Sequence, residues 1–335
     1  MKKLLKVVAI SSALALAVTT SSAVHAADKE LNITMVSKGF QHQFWQAVEK
    51  GAKQAGTELN AKITFVGPET EAMVDKQLEQ LQAAIDSKPD AIGYASLDPK
   101  APLALLKKAK TAGIPVYMFD AAAGDPKSAT ENEASLGASS DIALGIARTD
   151  GVAASALAAD KMAALIGKKG KVFVISVNQT GATAIQRRDG FINQMKAKYP
   201  NIKVLPVQYG EGDHLKSADI VKAVIAANKD LKGVFAVNEG SAIGAVNAFK
   251  ELKIKKGTIK LIGFDSGAGQ MDAIKSGLMQ GAITQDPIGI GYKTVAALVA
   301  KVRSGTTPKN FIDTGFYYYD AKNMTDANIA AVLYK

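Results

Sequence analysis

Short apolar runs that each stop at one polar side chain, followed by segments of helical period, narrow the folds open to this chain. VYMFD stops at Asp120, VFAVN at Asn238, LIGFD at Asp265 and GAITQ at Gln285, and two earlier runs stop at Ser37 and Ser96. Such runs alternating with helical patterns mean βαβ units and a parallel sheet. The segment 31–56 shows the unit. Leu31–Val36 reads as a buried strand. Phe44, Ala47, Val48, Gly51, Ala52 and Ala55 then recur at the spacing of one helix face. Gly51 and the alanines keep that face thin, so the helix can lie close on a sheet, and Gly56 follows as a C′ residue. Trp45, the one tryptophan of the chain, falls off this face.

The same reading extends along the chain. Strands are predicted at 61–66, 90–95 and 114–120. Helices are predicted through Val74, Leu78, Leu81 and Ile85, and over 97–113 with Pro99 and Pro102 in the first turn, where a missing N–H costs least. Residues 121–148 are irregular, with one strand near 135–139. Thr149-Asp150-Gly151 opens an alanine-rich helix to about Ile166. After the turn at 167–170 the pattern restarts. Strands are predicted at 171–177, 202–209, 233–238, 258–265, 281–286 and 313–319, with helices at 183–199, 214–228, 241–252, 269–276 and 289–303. The second half repeats the first, so the fold class is α/β, two doubly wound domains in tandem.

The N-terminus reads as a signal peptide over 1–26. Lys2, Lys3 and Lys6 precede an apolar run, and Val24-His25-Ala26 supplies a small-residue site with cleavage after Ala26. The run is too short to span a bilayer. Removing 26 of 335 residues leaves 309, beyond the size at which one core keeps growing. There is no cysteine, which excludes disulfides, thiolate chemistry and a lipid-anchored cysteine. The formal charge of +10 falls to about +7 without the three signal lysines. The charges are interspersed, with no basic run or nucleic-acid motif. The expected product is a monomer in the periplasm, with no nucleic-acid partner.

In open α/β sheets, ligands bind beyond the carboxyl ends of the strands. The loop from Ser37 to Gln43, followed by Phe44 and Trp45, stands at such an end. Any one of the polar strand ends could instead start a turn or cap a helix. As a set spread over both halves they point to a shared polar cleft, with acceptors and donors suited to hydroxyl groups. Catalytic alternatives have little support. His42 and His214 are far apart and lack ligand-spaced neighbours, and Asp213 reads as the cap of a helix. No nucleophile elbow or P-loop occurs, and the first strand-to-helix loop has one glycine, too few for a phosphate cradle. No catalytic residue, metal or cofactor is expected.

At these strand ends the chain resembles the type I periplasmic sugar-binding proteins of ABC transporters, in the ribose-binding-like subgroup. The carrying segments are QFWQAVEKGAKQAG, PDAI, GIPVYMFDA, TDGVAASALAADKMAALIGKKGKV, RRDGF, VFAVNEGSAIGAV, IGFDSGAG and ITQDPIGIGYKTV, nearly the whole mature chain. The resemblance implies two lobes joined by three crossing strands, near Asp150, near Gln285 and near Asp313 to Gly315. One lobe would hold 27–149 plus 286–313, the other 150–285 plus 314–335. A small sugar or polyol would lie between them and pass to an ABC permease in the inner membrane. The implied ligand-binding set is His42, Phe44, Trp45, Asp120, Asp150, Arg187, Asn238, Asp265 and Gln285, with Phe44 and Trp45 stacking on the sugar. Two departures stand out. Ala121 and Ile185 occupy positions where the ribose pattern has arginine, which argues against ribose itself. A sensory receptor for a sugar-like signal such as a furanone is the alternative, and a secreted α/β enzyme a distant third.

Overall fold

A computed structural model describes residues 29–124 and 143–334. The expected signal peptide and the strand expected near 135–139 lie outside the described residues. The first half forms β1 (Leu31–Val36), α1 (Gln43–Glu58), β2 (Ala61–Val66), α2 (Val74–Asp86), β3 (Ala91–Tyr94), α3 (Leu103–Thr111), β4 (Val116–Phe119) and β5 (Ile146–Arg148). The second forms α4 (Gly151–Leu165), β6 (Gly170–Ser176), α5 (Ala182–Lys198), β7 (Ile202–Val204), β8 (Gln208–Tyr209), α6 (His214–Ala227), β9 (Leu231–Ala236), α7 (Glu239–Glu251), β10 (Lys260–Phe264), α8 (Gly267–Lys275) and β11 (Gly281–Gln285). The chain ends with α9 (Pro287–Ser304), β12 (Phe311–Asp313), β13 (Phe316–Tyr319) and α10 (Ala327–Ala330).

These strands build two sheets, one per lobe. The first has the order β12-β5-β4-β3-β1-β2 and is parallel throughout. The second has the order β13-β11-β10-β9-β6-β7, with β8 beside β6. Its edge strand β13 alone runs antiparallel, against β11. β3 and β4 are buried at every position, as parallel strands covered on both faces must be. The chain passes between the lobes three times. β5 leads into α4, which packs on α5; β11 leads into α9, which packs on α1; and β12 leads directly into β13.

Some elements differ from the sequence reading, each for a local reason. The helix expected from Leu97 begins only at Leu103. The Asp98 carboxylate accepts from the N–H groups of Lys100 and Ala101, and the Gln77 amide oxygen from that of Leu97, which holds the intervening chain as a turn. The run 202–209 splits into β7 and β8 around Pro206, which has no N–H for a ladder. The run 313–319 also splits, at Gly315 with φ 81°, and its two halves join different sheets. Strand β5 emerges from the segment expected to be irregular. Gly56 lies inside α1, which continues to Glu58.

The thin face of α1 meets a helix more closely than a sheet. A Cβ on Gly51 would collide with the carbonyl of Ile288, and one on Gly291 with the carbonyl of Val48. These two glycines let α1 and α9 touch backbone to backbone. Gly51→Val is therefore expected to cost at least ~1–3 kcal/mol through overpacking. Urea denaturation measures this; an unchanged midpoint would show that the helices can separate freely.

Candidate functional site

The carboxyl ends of β1, β4, β6, β9, β10 and β11 face a common cleft between the lobes. Residues that line it include Lys38, His42, Phe44, Trp45, Glu71, Ser96 and Asp120 from the first lobe. Asn178, Thr183, Arg187, Asn238, Asp265 and Gln285 face them from the second. Eight of the nine residues of the expected binding set are thus brought together. Asp150 is the exception. Its carboxylate caps α4 by accepting from the N–H groups of Val152 and Ala153, and it is not part of the cleft wall. Ser37 likewise turns away, donating to the carbonyl of Val66.

The two strand-end aspartates occupy matching places. Asp120 follows β4 and Asp265 follows β10. Both are buried, and both have positive φ, 55° and 76°. A left-handed conformation costs a non-glycine residue about 1–3 kcal/mol and persists where the surroundings hold it. Arg187 on α5 reaches both, with its guanidinium 3.9 Å from Asp120 and 3.7 Å from Asp265. It also donates to the carbonyl of Val237 and lies over the Phe264 ring. Asp265 further accepts from the Gln285 amide at 2.6 Å and from the Glu239 N–H at 2.9 Å. Burial pushes the Asp265 carboxyl up, against the opposing pull of Arg187 and Gln285. Asn238 caps α7 through the Ser241 N–H while lining the cleft, so capping and lining coexist in one side chain.

Lys38 balances the acids on the first lobe. Its ammonium donates to Asp120 at 3.2 Å and to the Thr183 hydroxyl across the cleft. Burial alone would lower its pKa, but Glu71 and Asp120 hold it above the ordinary value. Glu71 accepts the indole N–H of Trp45 at 2.8 Å. Burial would raise its carboxyl, yet Lys38 and His42 keep it below the usual range. Trp45 is 1 % exposed and packs edge-on against Phe44 and Phe119. The buried face of α1 is therefore wider than the small-residue stripe suggests, and Trp45 serves both core and cleft.

The lobes exchange helix caps where they meet. His42, the N-cap of α1, makes no side-chain cap bond, and neither does Ser266 before α8. Instead Glu239 of the second lobe accepts from the N–H groups of Gln43 and Phe44 at the start of α1. Gln43 of the first lobe accepts from the Ala268 N–H in α8. Each lobe thus satisfies orphan donors of the other. Nearby, the His42 and His214 rings stack across the cleft at 5.9 Å, a meeting that their sequence separation concealed. Gln41 donates to the Gly212 carbonyl and to His42 Nε2, which puts the proton of the neutral ring on Nδ1. Burial lowers both histidines.

Glu239 is pushed up to about 7, first by burial and then by Asp265. A carboxyl raised where the lobes meet binds its proton more tightly in this arrangement than in water. Its contribution favours the lobe contact at acid pH and fades as pH rises through about 7. The two histidines act in the opposite sense, weakening the lobe contact as pH falls. The Glu239 effect is therefore read as a difference: relative to Glu239→Gln, wild type is expected to lose ligand affinity between about pH 5 and 8. Titration calorimetry across that range checks it; parallel profiles would show that the Glu239 proton is not coupled to binding.

Comparison with known proteins finds a periplasmic binding protein domain over residues 33–307. The chain belongs to the periplasmic binding protein family. It is 28% identical over 295 residues to a D-ribose/D-allose-binding protein of Pseudomonas aeruginosa, covering 86% of this chain and 88% of the relative. An ABC transporter solute binding protein from Agrobacterium vitis, solved with alpha-D-tagatopyranose, is 35% identical, with a TM-score of 0.84 over 91% of this chain and 100% of that one. A second from the same organism, solved with D-fucose, is 31% identical, with a TM-score of 0.82 over 90% and 100%. The resemblance carried by the strand-end segments and the two-lobe fold it implied are both found.

Sequence reasoning missed Lys38, Glu71, Thr183 and Glu239 as parts of the site. Lys38 lay in the polar loop after β1 but carried no signal beyond its position. Glu71 follows β2 in a polar loop with no apolar-to-acid step to mark it. Glu239 adjoins Asn238, and its partners lie 195 and 196 residues away.

Proposed function

We propose that this periplasmic binding protein serves an ABC importer by closing its two lobes over a small neutral sugar or polyol and presenting it to a membrane permease. The observation that carries this reading is the pair of buried strand-end aspartates, one from each lobe, facing one guanidinium beside Phe44 and Trp45. Carboxylates accept hydroxyl hydrogen bonds, and flat aromatic faces suit the C–H face of a sugar ring. The sugars held by the Agrobacterium proteins and named for the Pseudomonas relative support this ligand class. Ala121 and Ile185 in place of two arginines weigh against ribose. The function is binding and hand-over without turnover.

The same reading divides the lobes as 27–149 plus 286–313 and 150–285 plus 314–335. It places the protein in the periplasm after removal of residues 1–26. Intact mass of the secreted protein tests the cleavage site. A thermal-shift screen of pentoses, hexoses, polyols and furanones tests the ligand. A sugar at a hundred times its Kd adds ~2.7 kcal/mol of stability. A broad carbohydrate panel without a shift would overturn the sugar reading.

A further inference from the structure

We infer that Glu71 is a positioning residue for ligand capture: it sets the plane of the Trp45 indole and the place of the Lys38 ammonium, and through them the shape of the first lobe's half of the cleft. This rests on the sugar-binding reading of that cleft. Glu71 sits in the loop joining β2 to α2, and its side chain is 7% exposed. One carboxylate oxygen accepts the indole N–H at 2.8 Å. The other lies 3.8 Å from Lys38 Nζ. That ammonium in turn stands 5.5 Å from the centroid of the same indole ring. Glu71 therefore holds both members of a cation–π pair, each by a different oxygen. All three residues lie on the first lobe, so this arrangement does not depend on closure.

The charges show why such a holder matters. Lys38 donates to Asp120 at 3.2 Å. With Asp120 as its only carboxylate partner, the ammonium would settle against it and screen the acceptor that a ligand hydroxyl needs. Glu71 also draws the ammonium, so Lys38 is shared between two carboxylates and Asp120 is less fully engaged by it. The indole N–H has a buried partner in Glu71, and without it that donor is left unpaired, which favours a shift of the ring toward another acceptor.

Glu71→Gln and Glu71→Ala separate the two tasks. The glutamine keeps an oxygen for the indole N–H but loses the charge that draws Lys38. The alanine loses both. Trp45 is the only tryptophan, so the tryptophan bands in near-ultraviolet circular dichroism report its orientation alone. In ligand-free protein these bands are expected to persist in Glu71→Gln and to weaken in Glu71→Ala. Affinity for whichever of D-tagatose, D-fucose and D-ribose binds wild type is expected to fall about tenfold in the first variant and a hundredfold in the second. Both melting temperatures are measured alongside, and Glu71→Gln carries the test if Glu71→Ala does not fold. Affinities within threefold of wild type, or tryptophan bands unchanged in Glu71→Ala, would overturn the inference. Where wild type binds none of the three, the sugar reading loses its support, and the circular dichroism bands alone decide for or against Glu71 as the holder of Trp45.

Discussion

Trp45→Ala is expected to lose ~3–5 kcal/mol of folding stability, the range for truncating a fully buried aromatic side chain. The indole is 1% exposed and packs with Phe44, Phe119 and Val48 in the first lobe's core. The variant also strips Glu71 of its N–H donor and Lys38 of the aromatic face beneath it. Because the same indole lines the cleft, binding should weaken with stability. Trp45→Phe separates the effects, since it retains much of the packing and none of the N–H. Guanidinium unfolding gives the stability change, and calorimetry with the sugar found by thermal shift gives the affinity. In wild type, the emission of this single tryptophan is expected to change when that sugar binds. Emission that ignores a sugar which plainly stabilises the fold would confine Trp45 to packing.

Arg187→Met should be comparably severe, for an electrostatic reason. The guanidinium is the cation that Asp120 and Asp265 share between the lobes. Without it Asp120 keeps the Lys38 ammonium, while buried Asp265 is left with only the Gln285 amide and the Glu239 N–H as hydrogen-bond donors. Breaking a buried pair from one side costs ~3–5 kcal/mol, because the remaining charge is left uncompensated. The sign of the pH dependence follows. With the cation gone, the Asp265 carboxyl, already raised by burial, loses the strongest pull that opposes the rise. The Asp265 contribution is then fully present at low pH, where the carboxyl is protonated, and is lost as pH rises through its raised value. Melting temperatures from about pH 3 to 8 should show the gap to wild type widening with pH. A constant gap would mean that Arg187 acts through its bond to the Val237 carbonyl and its packing on Phe264.

The parts of this protein legible in its sequence are those set by local periodicity and by burial on both faces of a parallel sheet. The restart of the strand–helix alternation after residue 170 marked two lobes. Asp120, Asn238, Asp265 and Gln285 were legible as a site because an apolar strand that ends in an acid or amide has to place it at the sheet's carboxyl edge. Asp150 entered the set through the family resemblance and caps α4 instead, since an aspartate before a helix meets the N–H groups of the first turn whether or not a cleft is near. What the tertiary structure decided are the pairings between residues far apart in the chain. Glu239 capping α1, His42 against His214, and Arg187 between two aspartates all arise where the two lobes meet. A helical pattern reports which face is apolar, but not which helix, loop or lobe will cover it. For that reason Gly51 turned out to meet α9, and Trp45, off the small-residue stripe, found its place between the core and Glu71.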